Sequence, residues 1–461
     1  MSIYSVFVRN ISFPFIAKRD GLSRLYEHLK RLEETQFWPR QKIIELQSSR
    51  VKRLLIHAYQ HTSFYKQRFD DAGFDPFGFS SLSALSQIPF LTKKQIRDNL
   101  QLLISDCHKE SELHFSETGG TTGVKMKFYR DNACLSPKEA ALYRFEKWAG
   151  WDFGQRMGLV WTAQQDYVGH WTAKAKIKNE LFGRQVVFPA AILDNESISN
   201  YVNLLLRKRP VMIRAFTSPI YEVAKYIRAH NIGSIKVKGV ITTGEPLYNH
   251  HSELISSAFH CDVFDSYRSR ESGPLAQECE LHNGMHINGE SLYMETVQPA
   301  NSETFEDGMG EVVVTDLLNY GMPLIRYKTG DMGILSDEEC PCGRGLPLLR
   351  KLSGRTSDIF YTPDKKRITA GSIVLYLVDE APGLLGQVQI IQDKLDHLLI
   401  KMTPDPPPTQ EIKEYQENTV KRLFGQNMRV TFETVDEIPR EKSGKYLFTK
   451  CLIPESDLNQ L

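Results

Sequence analysis

From Gly158 onward the chain repeats one pattern: a short apolar run, a helical stretch, then a Gly- or Pro-marked turn. The runs are Gly158–Ala163, Val211–Phe216, Val237–Thr243, Asp262–Tyr267, Glu311–Leu318 and Pro323–Tyr327. Each has strand length, and strands that alternate with helical segments pack as a sheet covered by helices. The expected fold class is therefore α/β, with β-sheets and packed helices in one large body. Ahead of it, residues 1 to about 110 read as helical. Ile43, Ile44, Val51, Leu54, Leu55 and Ala58 recur near helical spacing, which predicts one buried face. After Arg355 the pattern changes again. An apolar helical stretch (Ile373–Val378), a strand pair near Val388–Ile391 and Leu398–Met402, a proline-rich turn (403–409), a helix through Ile412, Tyr415, Val420 and Leu423, and a strand Arg429–Thr434 predict a small α+β unit of about a hundred residues. The boundary is expected near Thr356, giving domains 1–356 and 357–461.

Composition removes several function classes. Lys plus Arg number 57 against 56 Asp plus Glu, a formal charge of +1, so no broad basic surface points to nucleic acid. No apolar run reaches the ~18 residues of a membrane-spanning helix. Ile3–Ala17 is interrupted by Arg9 and Asn10 and reads as an amphipathic arm packed on the body, not as a signal peptide. Seven cysteines are spread thinly, unlike a secreted disulfide framework. The expectation is a cytoplasmic protein, monomer or homodimer.

Four segments carry chemistry. SETGGTTGVKMKFY (116–129) crowds Gly119, Gly120, Thr121, Thr122 and Gly123 into a stretch that suits neither helix nor strand interior. Such a loop can wrap an anion with amides and hydroxyls, though it is not a Walker loop and also reads as a surface turn. RYKTGD (326–331) is expected directly after an apolar strand, where Asp331 could accept from two ribose hydroxyls or simply close a turn. GRTSD (354–358) falls at the expected boundary. In IPREKSGKY (438–446), Lys445 follows a Ser-Gly turn suited to reaching a phosphate or carboxylate, or to plain solvation.

The order and spacing of these segments resemble the adenylate-forming superfamily of acyl-CoA synthetases and adenylation domains. The resemblance spans nearly the whole chain and is closest to the phenylacetate–CoA ligase and capsular-polysaccharide CapK-like branch, through HAYQHTSFYKQRFDDAGFDP, MKFYRD and EIPREKSGK. It implies a large adenylate-forming domain with a small mobile lid. Gly119 to Gly123 would hold the ATP phosphates, and Gly244, Glu245 and Pro246 of TTGEP would line the adenine pocket. Within SYRSRE, Ser266 and Tyr267 would border the base and Glu271 would ligate Mg²⁺. Asp331 and Arg355 would contact ribose or phosphate, Ser357 would mark the hinge, and Lys445 would be the catalytic lysine. The implied activity is AMP-forming activation of a carboxylic acid with ATP, then transfer to coenzyme A. Transfer to an amine or sugar is the alternative enzyme; a catalytically silent binding protein of this fold is the alternative of another class.

Two positions depart from the family pattern. Arg268 replaces the glycine after the aromatic, which bears on the acyl pocket, and Val124 stands where many members have lysine, with Lys125 next. Ile213–Tyr221 resembles the segment bordering the acid, with Trp161, Phe216 and Thr243 as wall candidates and Arg214 or Arg268 as partners for a second anionic group. Cys279-x-x-His282 and Cys340-Pro-Cys342 are the makings of a four-ligand structural Zn²⁺ site, with His286 as a competing ligand. Cys107, Cys134, Cys261 and Cys451, like His170, His250 and His251, read as packing or surface residues.

Overall fold

The computed structural model describes residues 3–19, 22, 24–117, 126–161, 179–190, 194–233, 235–298, 308–355, 359–364, 367–369, 373, 375–379, 381, 387–403, 409–438 and 448–453. The phosphate-loop candidates Gly119–Gly123 with Val124 and Lys125, the hinge candidate Ser357, the catalytic candidate Lys445, and His170 lie outside them.

An eleven-stranded sheet organises the body. In spatial order its strands are Leu292–Val297, Met309–Asp316, Tyr327–Ser336, Leu348–Arg355, Met285–Ile287, Gly273–Glu278, Asp262–Ser269, Gly239–Thr243, Met212–Phe216, Met157–Trp161 and Gln185–Pro189. The last five pair in parallel. Their apolar runs lie between helices on both faces, as parallel strands require. On one face the helices Asn195–Lys208, Thr217–Ala229 and Asn249–Phe259 bury Val202, Leu205, Ile220, Val223 and Ile255 against Val160, Ile213 and Val240. On the other, Ala140 and Ala141 of the helix Asn132–Trp148 meet Met212, Ile241 and Phe264. The strand Asp262–Ser269 is the pivot: parallel to Gly239–Thr243 on one side, antiparallel to Gly273–Glu278 on the other. Ligands in open α/β sheets gather outside the carboxyl ends of such strands, and Phe216, Thr243 and Ser266 all lie there.

Five predicted strands form within two residues of the expected starts, but Pro323–Tyr327 does not. The strand begins at Tyr327, so RYKTGD lies mostly inside it and not behind it. Arg326 explains the shift. Its backbone is left-handed (φ +50°), which breaks an extended run. Its guanidinium clamps Glu295 (3.1 Å) and the carbonyls of Ser86 (3.1 Å) and Ile88 (2.6 Å).

The helix Arg40–His61 buries Ile43, Val51, Leu54, Leu55 and Ala58, whereas Ile44 falls off that face and is exposed. In the N-terminal arm Val8 and Ala17 are buried, and Phe13 packs edge-on against Tyr26 and Tyr143. Among the described residues, no helix is long and apolar enough to cross a membrane.

The C-terminal residues form a separate four-stranded sheet, ordered Arg429–Thr434, His397–Met402, Val388–Lys394 and Thr449–Cys451. The helix Gln410–Phe424 covers it, capped by Thr409 on the Ile412 amide (3.3 Å). Ile390, Leu398, Ile400, Ile412, Val420 and Phe424 make its core. Of the predicted Ile373–Val378 helix, residues Leu375–Asp379 form a single π-type turn. Phe448 meets Tyr248 of the large body edge-on at 4.6 Å.

Candidate active site

The site candidates converge from three strands. Tyr267 ends the parallel part of the sheet and is buried. Its hydroxyl donates to the Asp331 carboxylate at 2.7 Å. Burial first, and the Asp331 charge second, hold that hydroxyl protonated far above the ordinary tyrosine range. Asp331 is fixed from its own strand as well, since its amide donates to Thr329 Oγ1 at 3.1 Å. Across the strand pair its backbone partner is Arg355. Glu271, buried at the start of the hairpin after Tyr267, accepts from the Tyr327 hydroxyl at 2.9 Å. Tyr267 and Glu271 are thus each tied to RYKTGD, at Asp331 and Tyr327, and the two motifs form one wall. Sequence reasoning passed over Tyr327. The available signal was its spacing of four from Asp331, which puts both on one face of a strand.

TTGEP forms the adjacent edge. Thr243 Oγ1 donates to the Ser266 carbonyl at 2.7 Å and fixes the turn against the Tyr267 strand. Gly244 has φ +83°, and a Cβ there would sit 2.4 Å from Phe216 Cε1, so both backbone and space demand glycine. Glu245 is committed to its own scaffold: its carboxylate accepts from the Ser218 amide at 2.8 Å, capping the helix Thr217–Ala229.

A metal at Glu271 is chemically compatible. The side chain is an acid, one oxygen is taken by Tyr327, and no protein cation pairs with it among the described residues. The Cys/His candidates behave differently from their sequence order. Cys279, His286, Cys340 and Cys342 bring ligand atoms to within 4.8 Å of one another. Cys279 and Cys340 sulfurs are 3.7 Å apart, and Cys342 Sγ is 3.3 Å from His286 Nε2. Two metal–sulfur bonds of about 2.3 Å at a tetrahedral angle span about 3.8 Å, so the sulfur spacing fits. His282 is not brought in; it takes a left-handed turn (φ +49°) and pairs with Glu278 at 3.1 Å. Burial pushes the Cys279 thiol up to about 12. Burial also raises Cys342, but Arg344, through its amide and its guanidinium, overrides this and holds the thiol below its ordinary value.

Comparison with known proteins places this arrangement. Residues 360–451 match the CapK C-terminal domain family. The CapK protein of Staphylococcus aureus is 25% identical over 463 aligned positions, covering 97% of this chain and 96% of that protein. Phenylacetate–coenzyme A ligase of Thermus thermophilus is 26% identical over 443 positions, covering 89% and 97%. A solved 2-hydroxyisobutyryl-CoA ligase, in its postadenylation state with an acyl-adenylate, superposes with a TM-score of 0.69 at 22% identity, over 89% of this chain and 90% of that one. The fold is that of the adenylate-forming ligases. Along most of its length the chain is similar to CapK and to the phenylacetate–CoA ligases.

Proposed function

We propose that this chain is an AMP-forming ligase that activates a carboxylic acid with ATP and passes the acyl group to coenzyme A. The observation that carries the reading is the Tyr267–Asp331 bond joined to the Glu271–Tyr327 bond at the carboxyl ends of the parallel strands. Asp331, steadied by Tyr267 and its own strand, presents an acceptor for ribose hydroxyls. The Tyr267 ring offers a face for adenine, and the Gly244 turn, packed on Phe216, borders it. Glu271 would hold Mg²⁺, which when bound supplies charge stabilisation to the phosphates. Lys445 would span the incoming carboxylate and the α-phosphate, where positioning and charge do most of the work.

In this reading residues 1–356 bind ATP and acid, and 357–461 form the lid that delivers Lys445. Its own core and sheet support treating it as a unit that can rotate between half-reactions. Cys279, His286, Cys340 and Cys342 would hold a structural Zn²⁺, since four N/S ligands leave no open position for chemistry. Acid-dependent pyrophosphate release, run with and without coenzyme A, tests the activity. Release that needs acid, falls about 10²–10³-fold in Lys445→Ala and yields thioester with coenzyme A supports it. Absence of release with every acid, with Lys445→Ala indistinguishable from the parent, would leave a silent binding protein. Consumption of adenylate by amines but not by coenzyme A would move the acceptor to an amine.

A further inference from the structure

Beside the nucleotide wall lies a half-buried cluster of charges that the adenylation chemistry does not use. Arg268 follows Tyr267 directly, and Arg214 lies two strands away on the same side of the sheet. The helix Asn132–Trp148 covers them with Glu139, Tyr143 and Glu146. Arg214 pairs with Glu146, whose side chain is 1% exposed. Yet Glu146 Oε2 and Arg214 Nε have no hydrogen-bond partner. Arg268 is more telling. Its Nε donates to Ser266 Oγ at 2.8 Å and its Nη2 to Gln277 Oε1 at 3.3 Å, both neutral acceptors. Among the described residues, no carboxylate reaches ion-pair distance of it. Burial, then the Arg214 charge, press it down to about 9, while burial pushes Glu139 upward, toward its neutral form. With neutral acceptors alone on Arg268, and with Arg214 Nε and Glu146 Oε2 unpartnered, the cluster is one that an incoming anion would complete.

The cluster is continuous with the site. Ser266, which receives Arg268, also receives Thr243 through its carbonyl. The Arg214 guanidinium lies 5.6 Å from the Trp161 ring, and that ring is 4.5 Å from Phe216, the side chain beneath Gly244. A molecule whose reacting carboxylate lies beside Gly244 and Tyr267 would direct its far end at the two arginines.

Resting on the adenylation reading above, we infer that the acid activated here is a dicarboxylate: one carboxylate reacts, and the second docks on Arg268 and Arg214. Arginine suits that role because its planar fork takes a carboxylate through two parallel hydrogen bonds. An arylacetate or plain fatty acid would leave Arg268 with its neutral acceptors alone.

The test is pyrophosphate release over a panel of four-to-six-carbon dicarboxylic acids, the monocarboxylic acids of equal chain length, phenylacetate, and amino acids of equal length. Equilibrium binding of each acid is followed in parallel by tryptophan fluorescence. The expected result is kcat/KM for a dicarboxylate at least ~100-fold above its monocarboxylate, because a site built around a polar group rejects the analogue lacking it. Arg268→Met should erase most of that ratio and raise turnover of phenylacetate, with KM for ATP moving far less. Arg268→Lys, which keeps the charge without the fork, should retain an intermediate preference and guards against a misfolded methionine variant. Monoacids or phenylacetate used as well as the diacid, an amino acid preferred, or all acids falling equally in Arg268→Met would overturn the proposal while leaving adenylation standing. If no acid releases pyrophosphate, the adenylation reading fails, and binding decides the proposal: tighter diacid binding lost in Arg268→Met supports it, equal binding overturns it.

Discussion

Gly244→Ala is the sharpest probe of how the nucleotide edge is built. The new methyl carbon would lie 2.4 Å from Phe216 Cε1 and 2.5 Å from Cδ1. Carbon atoms rest at about 3.5–4.0 Å, so the overlap exceeds 1 Å at two atoms and the ring must move. Forced overpacking of this kind costs about 1–3 kcal/mol. The backbone adds a separate cost, because φ is +83° and a left-handed conformation is unfavourable for a residue with a Cβ by about 1–2 kcal/mol. The sum is about 2–5 kcal/mol, expressed as loss of stability or as displacement of Phe216 into Trp161, whose ring is 4.5 Å away. The two costs separate in a double-mutant cycle with Phe216→Leu. Trimming the ring removes the overlap and leaves the backbone strain, so the pair should show a favourable coupling of about 1–3 kcal/mol. Urea denaturation with tryptophan fluorescence, repeated with saturating ATP, reads both stability and the nucleotide site. A coupling within about 0.5 kcal/mol of zero would refute the steric argument, and Gly244→Ala indistinguishable from the parent would refute both.

Tyr267→Phe removes a hydrogen bond to a charged acceptor, worth about 1.5–3 kcal/mol. KM for ATP should rise ~10–100-fold with a smaller change in kcat, and steady-state kinetics check it. Cys340→Ser, or exhaustive chelation, should release one zinc per chain and loosen the contact between the hairpin Gly273–Ile287 and the 340–342 loop. Elemental analysis finding no zinc in the intact protein refutes the metal reading. Burial holds His250 at about 4, and burial and then the His250 charge hold His251 well below its ordinary value, against about 6.5 when unfolded. The folded protein therefore prefers neutral rings. That contribution is complete above pH 6.5 and is lost as pH falls toward 4, at up to about 1.4 kcal/mol per pH unit for each ring. Denaturation midpoints at pH 7.5, 6 and 5 should fall less steeply in His250→Gln than in the parent.

The alternation of apolar runs and helices was enough to give the α/β body, because strands covered on both faces need to be apolar throughout. It did not give the strand order or the pivot at Asp262–Ser269, which depend on which edges meet. RYKTGD shows why a motif can be found without its parts being understood. Arg326 clamps a loop to Glu295, Tyr327 orients Glu271, Lys328 pairs with Glu311 at 2.6 Å, and Asp331 faces Tyr267. The residues and the resemblance gave Asp331 an expected role toward ribose but none of these contacts, because each depends on a partner distant in the chain.

The cysteine cluster and the acyl pocket failed to read out for opposite physical reasons. Along the chain, His282 is the natural companion of Cys279, since short Cys–His spacings so often share a metal. The intervening turn decides otherwise. His282 is left-handed and leans on Glu278, while the strand Met285–Ile287 carries His286 back, its register with Leu348 setting it near Cys340 and Cys342. Sequence proximity loses to sheet register. In the pocket, Glu139 and Glu146 sit on the helix Asn132–Trp148 among alanines and lysines, where acids ordinarily mark a solvated face. Here Glu146 is buried and Glu139 half-buried, because the helix lies over Arg214 and Arg268 on two strands of the sheet, and Arg214 pairs with Glu146. Each charge is unremarkable alone; brought together, they leave Arg214 Nε and Glu146 Oε2 without a partner and Arg268 with neutral acceptors alone. That shortfall, not any single residue, is what the proposed second carboxylate would answer.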